Sequence, residues 1–152
     1  CEFLDALRDE HLPERAGRLG ERLLDRLRRG LEGHPLVRAV RGRGLLVAIE
    51  LGPKDADWLS RHAPGLVESV SRELLGHWIS IRLLERGFLA QPASLRCNIL
   101  RIEPPLTIEE PDLDLAADAI VDVVRDYKSL VPLAAHASLR LARQFMNGGA
   151  FR

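Results

Sequence analysis

The segment Asn98–Glu110, NILRIEPPLTIEE, places an arginine, Arg101, between apolar residues and runs directly into Pro104–Pro105. The apolar residues read as a strand, Ile99–Glu103, in which side chains alternate between faces. Leu100 and Ile102 then share one face, and Ile99, Arg101 and Glu103 share the other. Two readings of Arg101 follow. In one, it covers a sheet edge with its apolar stem and pairs loosely with Glu103. In the other, the strand delivers a guanidinium to a cleft, where its planar fork holds a carboxylate by two parallel hydrogen bonds. The double proline favours the second reading. Two fixed φ angles stiffen the strand exit, and a stiff support reduces the entropy lost on gripping a ligand.

No other group of residues carries as much chemistry. The five histidines, His11, His34, His62, His77 and His136, are scattered, and no serine–histidine–acid set surrounds them. His77, beside Trp78, reads as a surface or packing residue. Glu109–Glu110 fall at a helix start, where the dipole accounts for them. Cys1 and Cys97 have no CxxC or Cys/His metal spacing and are too few for a disulfide framework, so both read as reduced thiols. No metal site is expected. Of the 22 basic residues, two are lysines, Lys54 and Lys128, so chemistry that needs an amine has two candidates. Gly42-Arg43-Gly44 is too short for a P-loop and no helix follows it directly; it reads as a turn.

Elements must position these residues. Leu12, Ala16, Leu19, Leu23, Leu27 and Leu31 recur at three- and four-residue steps, an amphipathic helix. The charges between them, from Glu14 to Asp25, read as its solvated face, and Gly33 and Pro35 end it. Val37 to Leu51 forms a β-hairpin about the glycine turn, the glycines supplying positive φ. Pro53–Pro64 is an irregular connector with one short turn. A second helix carries Val67, Val70, Leu74, Trp78 and Ile81 and ends near Arg86, with Gly87 beyond its C-terminus. Phe88–Ala90 is expected as a short strand, a loop QPASLRC follows, and then the Arg101 strand. Thr107–Glu110 has the form of a capping box, although Pro111 suits a first helical turn. The last clear stripe is Leu113, Ala116, Ala117, Ile120, Val123, Val124 and Tyr127. A tail from Pro132, with Leu133, Ala137, Leu141 and Phe145 on one face, reads as helical.

The expected class is α+β, a small, mostly antiparallel sheet made of a hairpin and short strands, packed against helices. The 152 residues amount to one domain, large enough for a core without cross-links. A formal net charge of zero supplies no global field toward nucleic acid or membrane. No apolar run reaches membrane-spanning length and no signal-peptide pattern is present, so the expected location is the cytoplasm. The chain opens with Cys1 inside a helical pattern and reads as part of a longer polypeptide.

Three blocks in this order, VRGRGLL, ERGFL and LRIEPPLTI, resemble the C-terminal small domain of class III pyridoxal-phosphate-dependent aminotransferases, the ornithine, acetylornithine, putrescine and 4-aminobutyrate type of fold type I. The resemblance spans roughly Leu4 to Val124. It implies an aminotransferase small domain over 1–131, truncated at its N-terminus, and a helical tail over 132–152. It implies amino-group transfer between an amino acid or amine and a 2-oxo acid, through a lysine Schiff base and a pyridoxal ring acting as electron sink. It assigns Arg101 to the substrate carboxylate, commonly the α-carboxylate; in some members a large-domain glutamate neutralises that arginine until the carboxylate arrives. The Schiff-base lysine, the acid at the pyridine nitrogen and the aromatic over the ring belong to a large domain that precedes this segment. Neither Lys54 nor Lys128 sits in such a context. The chain alone is therefore expected to hold no catalytic or cofactor-binding residue, to bind no pyridoxal phosphate and to be inactive. Its expected partners are the missing large domain and a second subunit, since relatives of this kind are homodimers. The Leu12–Leu31 stripe would face that large domain, left partly exposed or covered by another copy.

Two other readings stand beside it. Aminomutases and racemases of the same fold share this C-terminal pattern and need no amino acceptor. A free-standing interaction module would use the arginine-rich helix 12–31 against an acidic partner or nucleic acid, but Glu14, Glu21 and Asp25 break up any phosphate-binding stripe.

Overall fold

The computed structural model describes residues 2–53, 74–129 and 136. The expected connector turn, the start of the second helix with Val67 and Val70, His62, Lys54 and the tail stripe lie outside them. The elements run α1 (Glu2–Asp9), α2 (Leu12–Gly30), β1 (Val37–Arg43), β2 (Leu46–Leu51), α3 (Leu75–Leu84), β3 (Gln91–Ala93), β4 (Arg96–Ile102) and α4 (Glu110–Arg125). Two antiparallel hairpins, β1–β2 and β3–β4, join through an antiparallel β2–β4 pair into one sheet of order β1-β2-β4-β3. The α+β class with a small antiparallel sheet is the architecture observed.

One face of the sheet is apolar. Val47, Ile49 and Leu51 alternate with Leu100 and Ile102 to build it, and all five are buried. Helix α2 lies against β1 and β2, α3 lies against β3 and β4, and α4 packs on α2 and α3. The stripe of α2 goes into this core: Leu19, Leu23, Leu27 and Leu31 are at most 3% exposed. The expectation that it would await a missing domain is therefore corrected, because the chain's own sheet and α4 cover it. On α3 the buried residues are Leu75, Trp78, Ile79 and Leu83, while Leu74 and Ile81 are exposed. The inward face of α3 is thus rotated from the predicted one. On α4 the predicted stripe holds, with Val121 added to it and Ala116 half-buried.

Two close approaches set how the helices sit. A Cβ on Gly76 of α3 would lie 1.8 Å from the Cys97 carbonyl oxygen, and one on Gly20 of α2 would lie 2.1 Å from the Gly44 carbonyl oxygen. Gly44 turns the first hairpin at φ 54°, a conformation glycine adopts without strain. A third close approach joins α2 to α4, where a Cβ on Gly30 would meet Val121 Cγ2 at 2.5 Å.

Three local expectations change. Phe88–Ala90 is not a strand. Its first N–H donates to Leu83 O while Gly87 N–H donates to Leu84 O, the paired bonds of a Schellman cap that ends α3. The strand comes later, at Gln91–Ala93, where Pro92 is tolerated because β3 is an edge. The Arg101 strand correspondingly begins at Arg96, within the predicted loop. The capping box is absent. Helix α4 starts after Glu109, with no side-chain cap and Pro111 in its first turn. With Thr107 as cap, Pro111 would stand where its N–H is needed for the bond back to Thr107, and a proline has none to give.

The charge run on α2 divides. Arg18, Arg22 and Arg26 pair with Glu110, Asp114 and Asp118 of α4, in register and in the same direction along both helices. The Arg22–Asp114 pair is bidentate, at 2.9 and 2.6 Å. Arg22 also reaches Glu110 at 3.3 Å and Arg26 reaches Asp114 at 3.6 Å. That part of the run is an interhelical ladder at the rim of the core, and Glu14, Glu21 and Asp25 keep the outward side. Hydrogen bonds from their arginines hold the Glu110, Asp114 and Asp118 carboxyls below the usual carboxylate range.

Two outcomes follow. Gly76→Ala costs about 3 kcal/mol in urea unfolding, since backbone must move, whereas Gly17→Ala, with open space around it, stabilises α2 by about 0.5–1 kcal/mol; equal effects would mean that α3 does not approach β4 so closely. Because the ladder carboxyls titrate lower when folded, their contribution is present above the unfolded-chain values near pH 4 and disappears as pH falls through the folded ones. The urea midpoint is accordingly flat above about pH 5 and drops below about pH 4. Asp114→Asn lessens that drop more than Asp118→Asn, and both effects shrink in 1 M salt.

Candidate functional site

The face of the sheet opposite the helices has no helix on it among the described residues. The strand registers align Arg41, Ala48, Arg101 and Gln91 in one row across all four strands. The next row on the same face holds Ala39, Glu50 and Ile99. Leu46, opposite Arg43, is 66% exposed. Period-two alternation puts every one of these residues opposite the buried Val47, Ile49 and Leu100.

Arg101 stands on this open face, and β4 is not an edge. Its partners are Ala48 of β2 on one side and Gln91 of β3 on the other. The edge-covering role is thereby corrected: backbone ladders hold the arginine from both sides. Its Nε donates to Glu103 Oε1 at 2.9 Å and its Nη2 donates to Glu103 Oε2 at 2.6 Å. The pair is bidentate and both side chains are 44% exposed. These hydrogen bonds raise the Arg101 guanidinium and hold the Glu103 carboxyl below the usual carboxylate range. Opposite Arg101 on β2 stands the small side chain of Ala48. In the next row Glu50 accepts from Arg41 at 2.7 Å.

The exit of the strand is tied down from a distance. Arg15 of α2 donates Nε to Leu106 O at 3.2 Å and Nη2 to Ile108 O at 2.6 Å, and reaches Glu109 Oε1 at 3.3 Å. Ile108 N–H closes a turn onto Pro105 O at 3.0 Å. At the other end, buried Asn98 donates Nδ2 to Leu51 O at 3.1 Å and extends the β2–β4 pairing. Sequence reasoning missed Arg15, because one arginine in a run of arginines carries no mark of its contact. It also missed the row across the sheet, which depends on the order β1-β2-β4-β3. Asn98 could have been found: it lies two residues before Leu100 on the buried face, where a polar residue needs a partner.

The remaining candidates stay apart from this face or make local contacts. His34 is buried, and its Nδ1 accepts from Leu36 N–H at 3.2 Å. His11 is the left-handed residue before α2, and His136 meets the Tyr127 ring edge-on with centroids 6.1 Å apart. His77 is exposed on α3. Cys97 is a half-buried free thiol on β4. Lys128, the lysine among the described residues, is exposed just past α4. The charged groups that the described residues place on the open face include the Arg101–Glu103 and Arg41–Glu50 pairs. No helix among them is long and apolar enough to cross a membrane, and no three His, Cys, Asp or Glu gather as metal ligands would.

Comparison with known proteins adds the context. The family model for class III aminotransferases matches residues 1–124. Acetylornithine aminotransferase of Methanothermobacter thermautotrophicus is 32% identical over 123 residues, which cover 81% of this chain and 26% of that protein. The mitochondrial ornithine aminotransferase of Oryza sativa subsp. japonica is 35% identical over 122 residues, 80% of this chain and 22% of that one. A solved ornithine aminotransferase from Toxoplasma gondii, with partial occupancy of PLP at its active site, superposes with a TM-score of 0.59 at 33% identity, over 80% of this chain and 24% of its own. The chain thus spans about a quarter of the length of the relatives it matches. A family match over four-fifths of the sequence, with a backbone that superposes on that solved structure, establishes that the chain belongs to the class III aminotransferases.

Proposed function

We propose that the whole protein is a pyridoxal-phosphate-dependent aminotransferase that moves an amino group between an amino acid or amine and a 2-oxo acid. In this reading residues 1–131 are its small domain, 132–152 are a tail on that domain, and the larger part of the protein covers the open face of the sheet. Pyridoxal phosphate, when bound, supplies the electron sink for the transfer. The contribution of this chain is the binding and orientation of the substrate through Arg101. The observation that carries the reading is a guanidinium with the bidentate geometry a carboxylate requires, on a strand paired on both sides, at an open face.

The physical sequence is short. The ladders to Ala48 and Gln91 fix the Arg101 backbone, and Arg15 fixes the loop into which β4 runs. A carboxylate arriving at the face exchanges water for two charge-assisted hydrogen bonds in one plane. That plane orients the rest of the substrate, so a group at a set distance from the carboxylate is presented to the reacting centre in one pose. The small side chain of Ala48 gives the carboxylate room to approach. The arginine ladder on α2 is already engaged by α4, which favours the transferase reading over an interaction module built on that helix.

The test is made in the full-length enzyme. Arg101→Lys keeps the charge but loses the planar fork, and it raises KM for the carboxylate-bearing substrate by about tenfold, equivalent to about 1.4 kcal/mol of binding. Unchanged kinetics would remove Arg101 from the site. A requirement for a 2-oxo acid acceptor checks transfer itself, since an aminomutase or racemase turns over without one.

A further inference from the structure

A guanidinium has two edges that can each grip a carboxylate. In Arg101 the edge formed by Nε and Nη2 is taken up by Glu103, at 2.9 and 2.6 Å. The outer edge, Nη1 with the second N–H of Nη2, has no hydrogen-bond partner among the described residues. We propose that Gln91 completes a carboxylate site on that outer edge: its side-chain amide donates a third hydrogen bond to the carboxylate that Arg101 holds, which makes it a specificity-determining residue for acids. The proposal rests on the reading of Arg101 as the carboxylate-binding residue.

Placement, stiffness and charge support it. Gln91 of β3 is the cross-strand partner of Arg101, and residues opposed in this way carry their Cβ atoms about 5 Å apart on one face. Both side chains are exposed. Ala48, the partner on the other side, has no hydrogen-bonding group on its side chain. Arg41, next in the row, is bound to Glu50 at 2.7 Å. The Gln91 amide, by contrast, has no hydrogen-bond partner among the described residues. Gln91 is also held stiffly for a residue on an edge strand. It immediately precedes Pro92, which confines its backbone to extended conformations, and its pairing with β4 fixes the direction of its side chain. Binding therefore orders only side-chain torsions. Charge gives the amide its weight. Glu103 balances the charge of Arg101, so a second carboxylate meets a pair with no net charge. Its hold then depends on directional hydrogen bonds more than on attraction at a distance, and a third donor counts for more than it would beside a bare cation.

The experiment measures succinate binding by calorimetry to the full-length enzyme, in wild type, Gln91→Leu, Gln91→Glu, Gln91→Lys and Arg101→Lys, each checked for an unchanged melting temperature. Gln91→Leu removes the donor at similar size and weakens succinate about fivefold, the range of one hydrogen bond to a charged group. Gln91→Glu adds a repelling carboxylate and weakens it about twentyfold. Gln91→Lys supplies a donor again and binds at least as tightly as wild type. Equal weakening in all three Gln91 variants marks a structural role and overturns the proposal. Unchanged affinity in Gln91→Leu, with Arg101→Lys still weakened, overturns it too and keeps the Arg101 site. Succinate binding indifferent to Arg101→Lys overturns both.

Discussion

The double pairing of β4 is the constraint on which the rest depends. A strand laddered on one side can twist or fray, and its outward side chains move with it. Between β2 and β3, β4 has its backbone groups engaged in both directions, so the outward vector at Arg101 is set by the sheet and not by the loop that follows. The fit of Leu100 and Ile102 to the core is what admits β4 to that central position. The apolar residues on either side of Arg101 therefore act on it through register: a slip of one residue would send the guanidinium into the core and a leucine to the open face.

The helical side serves the same end. Helix α2 meets the hairpin turn at Gly44 and the strand exit through Arg15, so one rigid rod holds the start of β2 and the end of β4 together at the same end of the sheet. Helix α3 presses on the start of β4 through Gly76. The rim of arginine–carboxylate pairs adds little energy per pair in water. Its work is to shield the seam between α2 and α4, whose leucines and valines carry the stability.

Much of this was legible in the sequence, and the failures have particular causes. Helix α2 was readable because six apolar residues recur at near-ideal spacing, and the first hairpin because its turn glycine is flanked by apolar strands. The faces of Arg101, Leu100 and Ile102 follow from alternation alone. The β3–β4 hairpin was not readable. Its apolar signal, Phe88–Ala90, is taken up by the cap of α3, and its true first strand is three residues long with a proline in the middle. Nor was α3's inward face, because nearly every residue from Leu74 to Leu84 is apolar or small and no stripe stands out. Arg101's partner was anticipated. Its central position in the sheet was not, because strand order is a long-range property that period-two patterns do not encode.

The α2–α4 ladder repeats every four residues on both helices, and repetition has a cost in uniqueness. Sliding one rod past the other by a single turn would bring Arg22 onto Glu110 and Arg26 onto Asp114, contacts already half-made at 3.3 and 3.6 Å. Like a zip fastener with identical teeth, the row can engage at more than one notch. Gly30 is the stop. Its absent side chain leaves a socket for Val121, and the one-turn slide would carry that valine past the end of α2. A glycine far from the open face thereby decides which tooth meets which, and with it the height at which the Arg15 anchor meets the strand exit.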